Sequence, residues 1–446
     1  MITWDYFNSY PERQEFSMKN IIPAVKGTRD YYPEEMAVRN WLYNTIRQVS
    51  NSFGYREWEA PLLETIALYA TKSGEELVNQ QSFIFPDRGG EMLTLRPELT
   101  PSLARMVAQR QNQLVFPLRW WSWGPFWRYE RPQRGRTREF FQWNIDLIGV
   151  DTPEADAELI AIAAAFLKQV GLSSKNAVIL VNDRQLINSE LAALDVPSEK
   201  RPDFLNLIDR RGKMTPTEWD ANALELGLNP EKLEAMKSFL SNPDLWTKSE
   251  TLVRVFSALD ALGVREYVRF DPNTIRGLLY YTSTVFEAYA LNSEIKRALL
   301  GGGRYDNLMA QVGGDPLPAV GFAMGDLAIG LLLESLGLVP KEITKAPADV
   351  LVTVFDIETQ NESFAVAAEL RQAGLKVICN TDASKLPKQF KYADRIGVSV
   401  VAVIGPDEVT NNQVTIKDLT NGTQQTIQRT LAASEIKKLL ESRRPL

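Results

Sequence analysis

The sequence predicts an α+β domain followed by a smaller α/β domain, and three observations carry that expectation. Strand-like segments at 55–58, 92–95, 118–127 and 137–149 precede helical segments gathered between 185 and 262. That segregation favours an antiparallel sheet with helices beside it. Beyond Glu342 the order becomes strand, helix, strand, helix, strand over 348–405, the alternation of a parallel sheet. Between them, 340–347 holds Pro340 and Pro347 among Lys and Thr and reads as a linker. The expected divisions are an N-terminal arm at 1–20, a main domain at 21–340 and a C-terminal domain at 347–446.

Each element has a local reason. Residues 1–20 are polar and aromatic without a period, which suits an arm. Pro33-Glu34-Glu35 opens a helix that ends near Ser52, before Phe53-Gly54. Thr152-Pro153-Glu154 opens a second helix that stops at Gly171. Strands return at 266–270 and 280–290, and a glycine cluster follows at 301–303. In the C-terminal part, strands are expected at 348–355, 375–380 and 399–405, with helices at 361–373 and 385–396 between them.

Composition excludes more than it proposes. The 446 residues are 44% apolar and 24% charged, in the ordinary range for a globular protein. A net charge of −6 gives no global field for nucleic acid, so any polyanion must be met by a local patch. The single cysteine, Cys379, excludes an intrachain disulfide and a cysteine-rich zinc site. The sequence contains no histidine, which removes histidine acid–base catalysis, Ser-His-Asp and Cys-His systems and HExxH peptidases. The first residues lack the cationic start and apolar run of a signal peptide, and the longest apolar run, 159–167, is too short to cross a bilayer. A cytoplasmic protein with no membrane partner is expected.

The strongest local signal is the segment 128–138, with five arginines in eleven residues. Pro132 and Gly135 mark it as a hairpin loop, and tryptophans and phenylalanines on both sides would anchor it on buried strands. Arginine forks bind phosphate bidentately, so the loop suits a nucleoside triphosphate or a nucleic-acid backbone, although a solvated basic turn has the same composition. Gln142 and Asp146 lie four apart in a strand and therefore share a face. There they would grip an amino or imidazole group, or else mark a strand end with an exposed carboxylate. Gly301-Gly302-Gly303 offers close backbone approach to a phosphate without P-loop spacing, and Gly321 with Gly325 suits close helix packing.

Taken together, these segments resemble the class II aminoacyl-tRNA synthetases, specifically the histidyl-tRNA synthetase family. The resemblance runs from about Asn20 to the C-terminus. It rests on Lys26-Gly27-Thr28-Arg29-Asp30 with Pro33, on 54–61 as the motif 1 element ending in proline, and on Thr94-Leu95-Arg96-Pro97-Glu98 with Thr100. Residues 128–142 resemble motif 2, Arg276-Gly277-Leu278 with Tyr280-Tyr281 a peptide peculiar to the family, and 388–394 part of its anticodon-binding domain. The resemblance implies a six-stranded antiparallel class II sheet with helices, a helical insertion at about 185–262 and a C-terminal α/β anticodon-binding domain.

It also implies a reaction and its residues. Histidine and ATP, with Mg2+, would give histidyl-adenylate, and the histidyl group would pass to tRNA(His) on a homodimer joined through motif 1. Arg128 would hold the α-phosphate, Glu130 would lie near the adenine, and Arg136 and Arg138 would reach the outer phosphates. Glu98 and Thr100 would bind the α-amino group of L-histidine, with Gln142 and Asp146 shaping that end. Arg276 would be a second cation on the α-phosphate, and Tyr280 and Tyr281 would line the side-chain pocket.

The match departs at two places. Leu279 stands where the family peptide has aspartate, and Ala328 where motif 3 carries an ATP-clamping arginine, a role that Arg304 is a candidate to take over. A second reading therefore stays open: a synthetase paralogue without aminoacylation activity, serving as regulatory subunit of ATP phosphoribosyltransferase.

Overall fold

A computed structural model describes residues 21–70, 81–133, 135–276, 280–344 and 346–442. The expected arm at 1–20, Arg134 and Gly277 to Leu279 fall outside these. Two units separate between Val339 and Pro340.

The first unit is built on an eight-stranded sheet. Its strands are β1 (Arg56–Glu57), β5 (Leu118–Trp127), β6 (Glu139–Ile148), β7 (Ala177–Asp183), β8 (Val268–Phe270), β9 (Thr284–Ala290), β10 (Ala298–Arg304) and β11 (Ala319–Gly325). Their order in space is β1-β5-β6-β11-β10-β9-β7-β8. The six from β5 to β7 are antiparallel, and the short β1 and β8 add one parallel strand at each edge. Three further strands, β2 (Leu63–Thr65), β3 (Phe83–Pro86) and β4 (Met92–Leu95), form a separate small sheet.

Alternation along the strands gives the large sheet two unlike faces. One carries Trp143, Ile145 and Leu147 of β6, Phe322 and Met324 of β11 and Phe286 of β9, all buried. Against it packs the helix Pro153–Gln169, whose N-cap Thr152 accepts from the Ala155 backbone N–H at 3.3 Å and whose buried residues include Leu159, Ile162 and Phe166. Trp143 meets Phe166 and Phe322 with ring centroids 5.4 and 4.9 Å apart. Aromatic pairs of this kind add roughly 0.5–1.5 kcal/mol each beyond the burial of their area. The other face packs in part against the helix Thr100–Arg110, whose buried Leu103 and Val107 join Leu118, Ile148 and Val285, and the part left open holds the site.

Two expectations need correcting. The glycines at 321 and 325 lie in strand β11, not in a packed helix, because the run of Ala319 to Gly325 pairs with β6 and β10 on both sides. The C-terminal sheet is mixed, not purely parallel: β12 (Val350–Val352), β13 (Val377–Cys379) and β14 (Val400–Val403) are parallel, but β15 (Gln413–Asp418) and β16 (Gln424–Gln428) extend them antiparallel. These last two strands are rich in Gln and Thr, so no apolar run announced them.

Candidate active site

The open face of the sheet is floored by residues with little or no side chain. Register sets Asp146 of β6 beside Gly321 of β11 and Gln142 beside Gly325. Gly303 in turn lies beside Gly321, and Gly301 between Ala323 and Glu287. The glycines are needed for space. A Cβ at Gly321 would overlap Asp146 Oδ1, and one at Gly301 would overlap the Arg276 guanidinium. A Cβ at Gly303 would lie 2.8 Å from the Tyr281 ring. The floor is therefore cut away to admit three polar side chains and whatever they bind.

At one end the site is acidic and walled by tyrosines. The Tyr305 hydroxyl donates to Asp146 Oδ1 at 2.6 Å. Burial pushes the Asp146 carboxyl up to about 7, with the Tyr305 hydrogen bond pulling the other way. Tyr280 packs on Tyr281 at 4.8 Å and on Tyr305 at 6.0 Å between centroids. Burial raises all three phenols, and Tyr280 is also held by the Thr100 side chain, near the buried Glu98. Thr100 begins the helix Thr100–Arg110, where Pro101 occupies a first-turn position that has no backbone partner to lose. Gln142 is half-buried farther along β6.

Beyond that end stand two arginines. Arg276 adopts a left-handed backbone, φ +65°, and donates from Nη1 to Glu287 Oε1 at 2.6 Å. The Tyr289 hydroxyl holds the other Glu287 oxygen at 2.5 Å. Burial works against the charge on Arg276, but the neighbouring Tyr281 and Glu287 outweigh it and raise the guanidinium above its ordinary value. Among the described residues Arg276 Nε is buried without an acceptor, a donor left over for a ligand. Arg128, just past the end of β5, donates from Nε to the Pro97 carbonyl at 3.0 Å and is lowered by burial while Glu98 opposes that shift.

Arg128 also lines a cleft of about 250 Å³ with Glu130, Arg136, Phe140, Arg297 and Ala328. Its guanidinium lies 5.3 Å from the Phe140 ring centre. Arg136 and Glu130 form an ion pair. Arg138 is not among the lining residues: its guanidinium lies over Tyr129 at 4.3 Å, and its backbone N–H donates to the Gly27 carbonyl at 2.8 Å. The segment around Gly27 thus straps the base of the arginine loop. Asp326, at the start of the helix Asp326–Ser335, ties the far side by accepting from the Phe141 backbone and from Arg29.

Arg304 does not substitute for a missing cation at Ala328. It leaves the opposite face of the sheet, where it meets Asp156 at 2.6 Å and the Val150 and Thr152 carbonyls at 3.0 Å. Ala328 itself lines the cleft. Sequence reasoning missed Tyr305, Glu287, Phe140 and Arg297 as members of the site. The first two are polar residues in or beside glycine-rich or apolar strands, which was the available signal. For Mg2+, the donors present suit an ion held chiefly by phosphate oxygens, since both carboxylates of the cleft are engaged, Glu130 with Arg136 and Asp326 with Arg29.

Six antiparallel strands with an arginine-walled site on their open face place the chain in class II of the aminoacyl-tRNA synthetases, the class its motifs resemble. A family model described as histidyl-tRNA synthetase matches residues 27–328, and one described as an anticodon-binding domain matches 349–439. The chain belongs to the histidyl-tRNA synthetase family. It is 36% identical over 415 residues to a histidine–tRNA ligase of Haloarcula marismortui, covering 90% of this chain and 94% of the relative. It is 36% identical to a chloroplastic/mitochondrial histidine–tRNA ligase of Arabidopsis thaliana over 92% of this chain and 86% of the relative. The crystal structure of histidyl-tRNA synthetase from Nostoc sp. PCC 7120 superposes with a TM-score of 0.79 at 26% identity, over 94% of this chain and all of that one.

Proposed function

We propose that this chain is a histidine–tRNA ligase that activates L-histidine with ATP and passes the histidyl group to tRNA(His). The observation that carries the reading is the joining, over one glycine floor, of an acidic tyrosine-walled end to two arginines and a phosphate-sized cleft. Family membership supports it, and so does the match of 349–439 to an anticodon-binding domain. The regulatory-subunit reading is disfavoured by both, since that paralogue class typically lacks such a domain.

In this reading Glu98, Thr100 and Asp146 receive the α-ammonium, Gln142 closes that end, and Tyr280 and Tyr281 hold the imidazole. A carboxylate oxygen of histidine attacks the α-phosphorus in line. The bond to the bridging oxygen breaks, and its electron pair leaves with pyrophosphate. Arg128 and Arg276 neutralise charge on the non-bridging oxygens as the transition state forms. Mg2+, when bound with the triphosphate, supplies charge neutralisation on the leaving group, with Glu130 as the nearby carboxylate. Glu130 also borders the adenine, while Arg136 serves the outer phosphates and Arg138, outside the cleft, braces the loop against Tyr129. No proton moves in this step, so a chain without histidine forgoes nothing. In the second step the terminal ribose hydroxyl attacks the histidyl carbonyl, the acyl–phosphate bond breaks, and AMP leaves with the hydroxyl proton passed to its phosphate oxygen.

Among the described residues no helix is long and apolar enough to cross a membrane. We read the chain as a cytoplasmic homodimer joined through the motif 1 region. The deciding assay is histidine-dependent exchange of labelled pyrophosphate into ATP, followed by charging of tRNA. Exchange with histidine, and none with other amino acids, is the expected result. A folded protein that shows no exchange would move the reading to a non-catalytic paralogue.

A further inference from the structure

The cations around the site differ in how far they are already spent. Arg276 is bonded to Glu287, Arg304 to Asp156 and Arg29 to Asp326. Arg138 is stacked on Tyr129, and Arg39 lies 3.4 Å over the Phe141 ring. Within the cleft itself, Arg136 arrives with the charge of Glu130 attached, so that pair contributes little net field until a ligand separates it. Arg297 is different. It immediately precedes β10, its side chain is exposed, and among the described residues it makes no ion pair. Its one hydrogen bond among the described residues runs 3.4 Å from Nη1 to the Gly135 carbonyl, which stretches the guanidinium from the β10 wall across to the arginine loop. It therefore spans the mouth of the cleft with most of its donors uncommitted. Ala328, lining the same cleft from the helix Asp326–Ser335, brings no charge.

We propose that Arg297 binds the outer phosphates of ATP, opposite Arg136, and so supplies from β10 the cation that Ala328 does not supply from the following helix. This rests on reading the cleft as the ATP site. The chemistry favours it: a guanidinium fork matches paired phosphate oxygens, and Arg297 enters the site with its full positive charge. Its partner atoms are the β- and γ-phosphate oxygens, which lie away from the reacting α-phosphorus. Arg297 consequently grips substrate and leaving group without touching histidine.

The test combines calorimetry with pyrophosphate exchange on the full chain. Arg297→Ala is expected to weaken ATP binding by about 10–100-fold. It should raise the KM for ATP and for pyrophosphate while leaving the KM for histidine and the affinity for AMP unchanged. Arg297→Lys should recover only part of the loss, since a point charge lacks the fork. Adding Ala328→Arg to Arg297→Ala should restore ATP affinity from the other wall. Because Arg297 is exposed, the melting temperature should not move. Equal losses of ATP and AMP affinity would place the guanidinium on the base and overturn the proposal, as would unchanged ATP binding. Arg297-dependent ATP binding in a protein that shows no exchange would instead leave this proposal standing and defeat the ligase reading.

Discussion

Asp146 shows how much of the site is visible in a single strand, and how much depends on a distant partner. Its four-residue spacing from Gln142 is enough to put both on one face. Its hydrogen-bond partner Tyr305 lies 159 residues away in sequence, and the glycine cluster before it marks the residue without marking the pairing. Arg276, in a loop, is tethered by Glu287 of β9 only eleven residues on, but nothing in the spacing says that the two meet. Burial drives the Asp146 carboxyl up to about 7, whereas an unfolded aspartate titrates near ~3.9. Between those values the folded protein keeps a proton that the unfolded chain has released, so stability falls as pH rises through that window. Above it, the ionised carboxylate carries its full cost. Asp146→Asn removes that cost and still accepts the hydrogen bond from Tyr305. The variant is expected to melt higher than its parent at about pH 8, with the gap closing toward about pH 5. Its affinity for histidine should fall by about tenfold or more, the worth of a charge-assisted hydrogen bond. Thermal melts across that range, with equilibrium dialysis of labelled histidine, check both. A variant that melts lower than the parent at the higher pH would show that the folded environment favours the carboxylate.

Strands β10 and β11 carry the lesson at the scale of elements. Their glycines were conspicuous in the sequence, but spacing along one chain does not say which face each occupies or what approaches it; inter-strand register does. Gly301 faces the site, where an added Cβ would meet the movable end of Arg276. Gly302 faces the packed core, where the same Cβ would meet the Gly321 carbonyl and come within 2.8 Å of Phe322 Cα, both fixed backbone. Different outcomes follow. Gly302→Ala should cost about 1–3 kcal/mol of stability, the usual penalty of overpacking. Gly301→Ala should destabilise less, its cost confined to the strained Arg276–Glu287 pair. It should lower adenylate formation by about 100-fold through displacement of Arg276, the loss typical of one preorganised donor. Unfolding curves and exchange rates for the two variants decide the matter. Equal destabilisation of both would contradict the division of the sheet into a packed face and an open one.

For the whole molecule, the change of texture near 340 was legible because apolar strands and helices begin to alternate there, whereas the polar edge strands β15 and β16 were not. The buried clusters respect that division. Leu42, Trp143, Ile162 and Phe322 belong to a core confined to the first unit, and Val350, Val366, Val400 and Ile436 to one confined to the second. Synthesis of all 446 residues, moreover, consumes no histidyl-tRNA, because none of them is histidine. Since each unit has its own core, a chain ending at Val339 should fold and keep histidine-dependent pyrophosphate exchange close to that of the full chain. Charging of tRNA should suffer instead. Two linked binding modules exceed the affinity of either by roughly 10²–10⁴ when both engage, so removing one is expected to cut charging by about 100-fold at limiting tRNA. Saturating tRNA should recover much of that loss, because the chemistry stays in the first unit. A fragment that unfolds, or that loses exchange in step with charging, would show that the first unit draws its stability or its chemistry from the second.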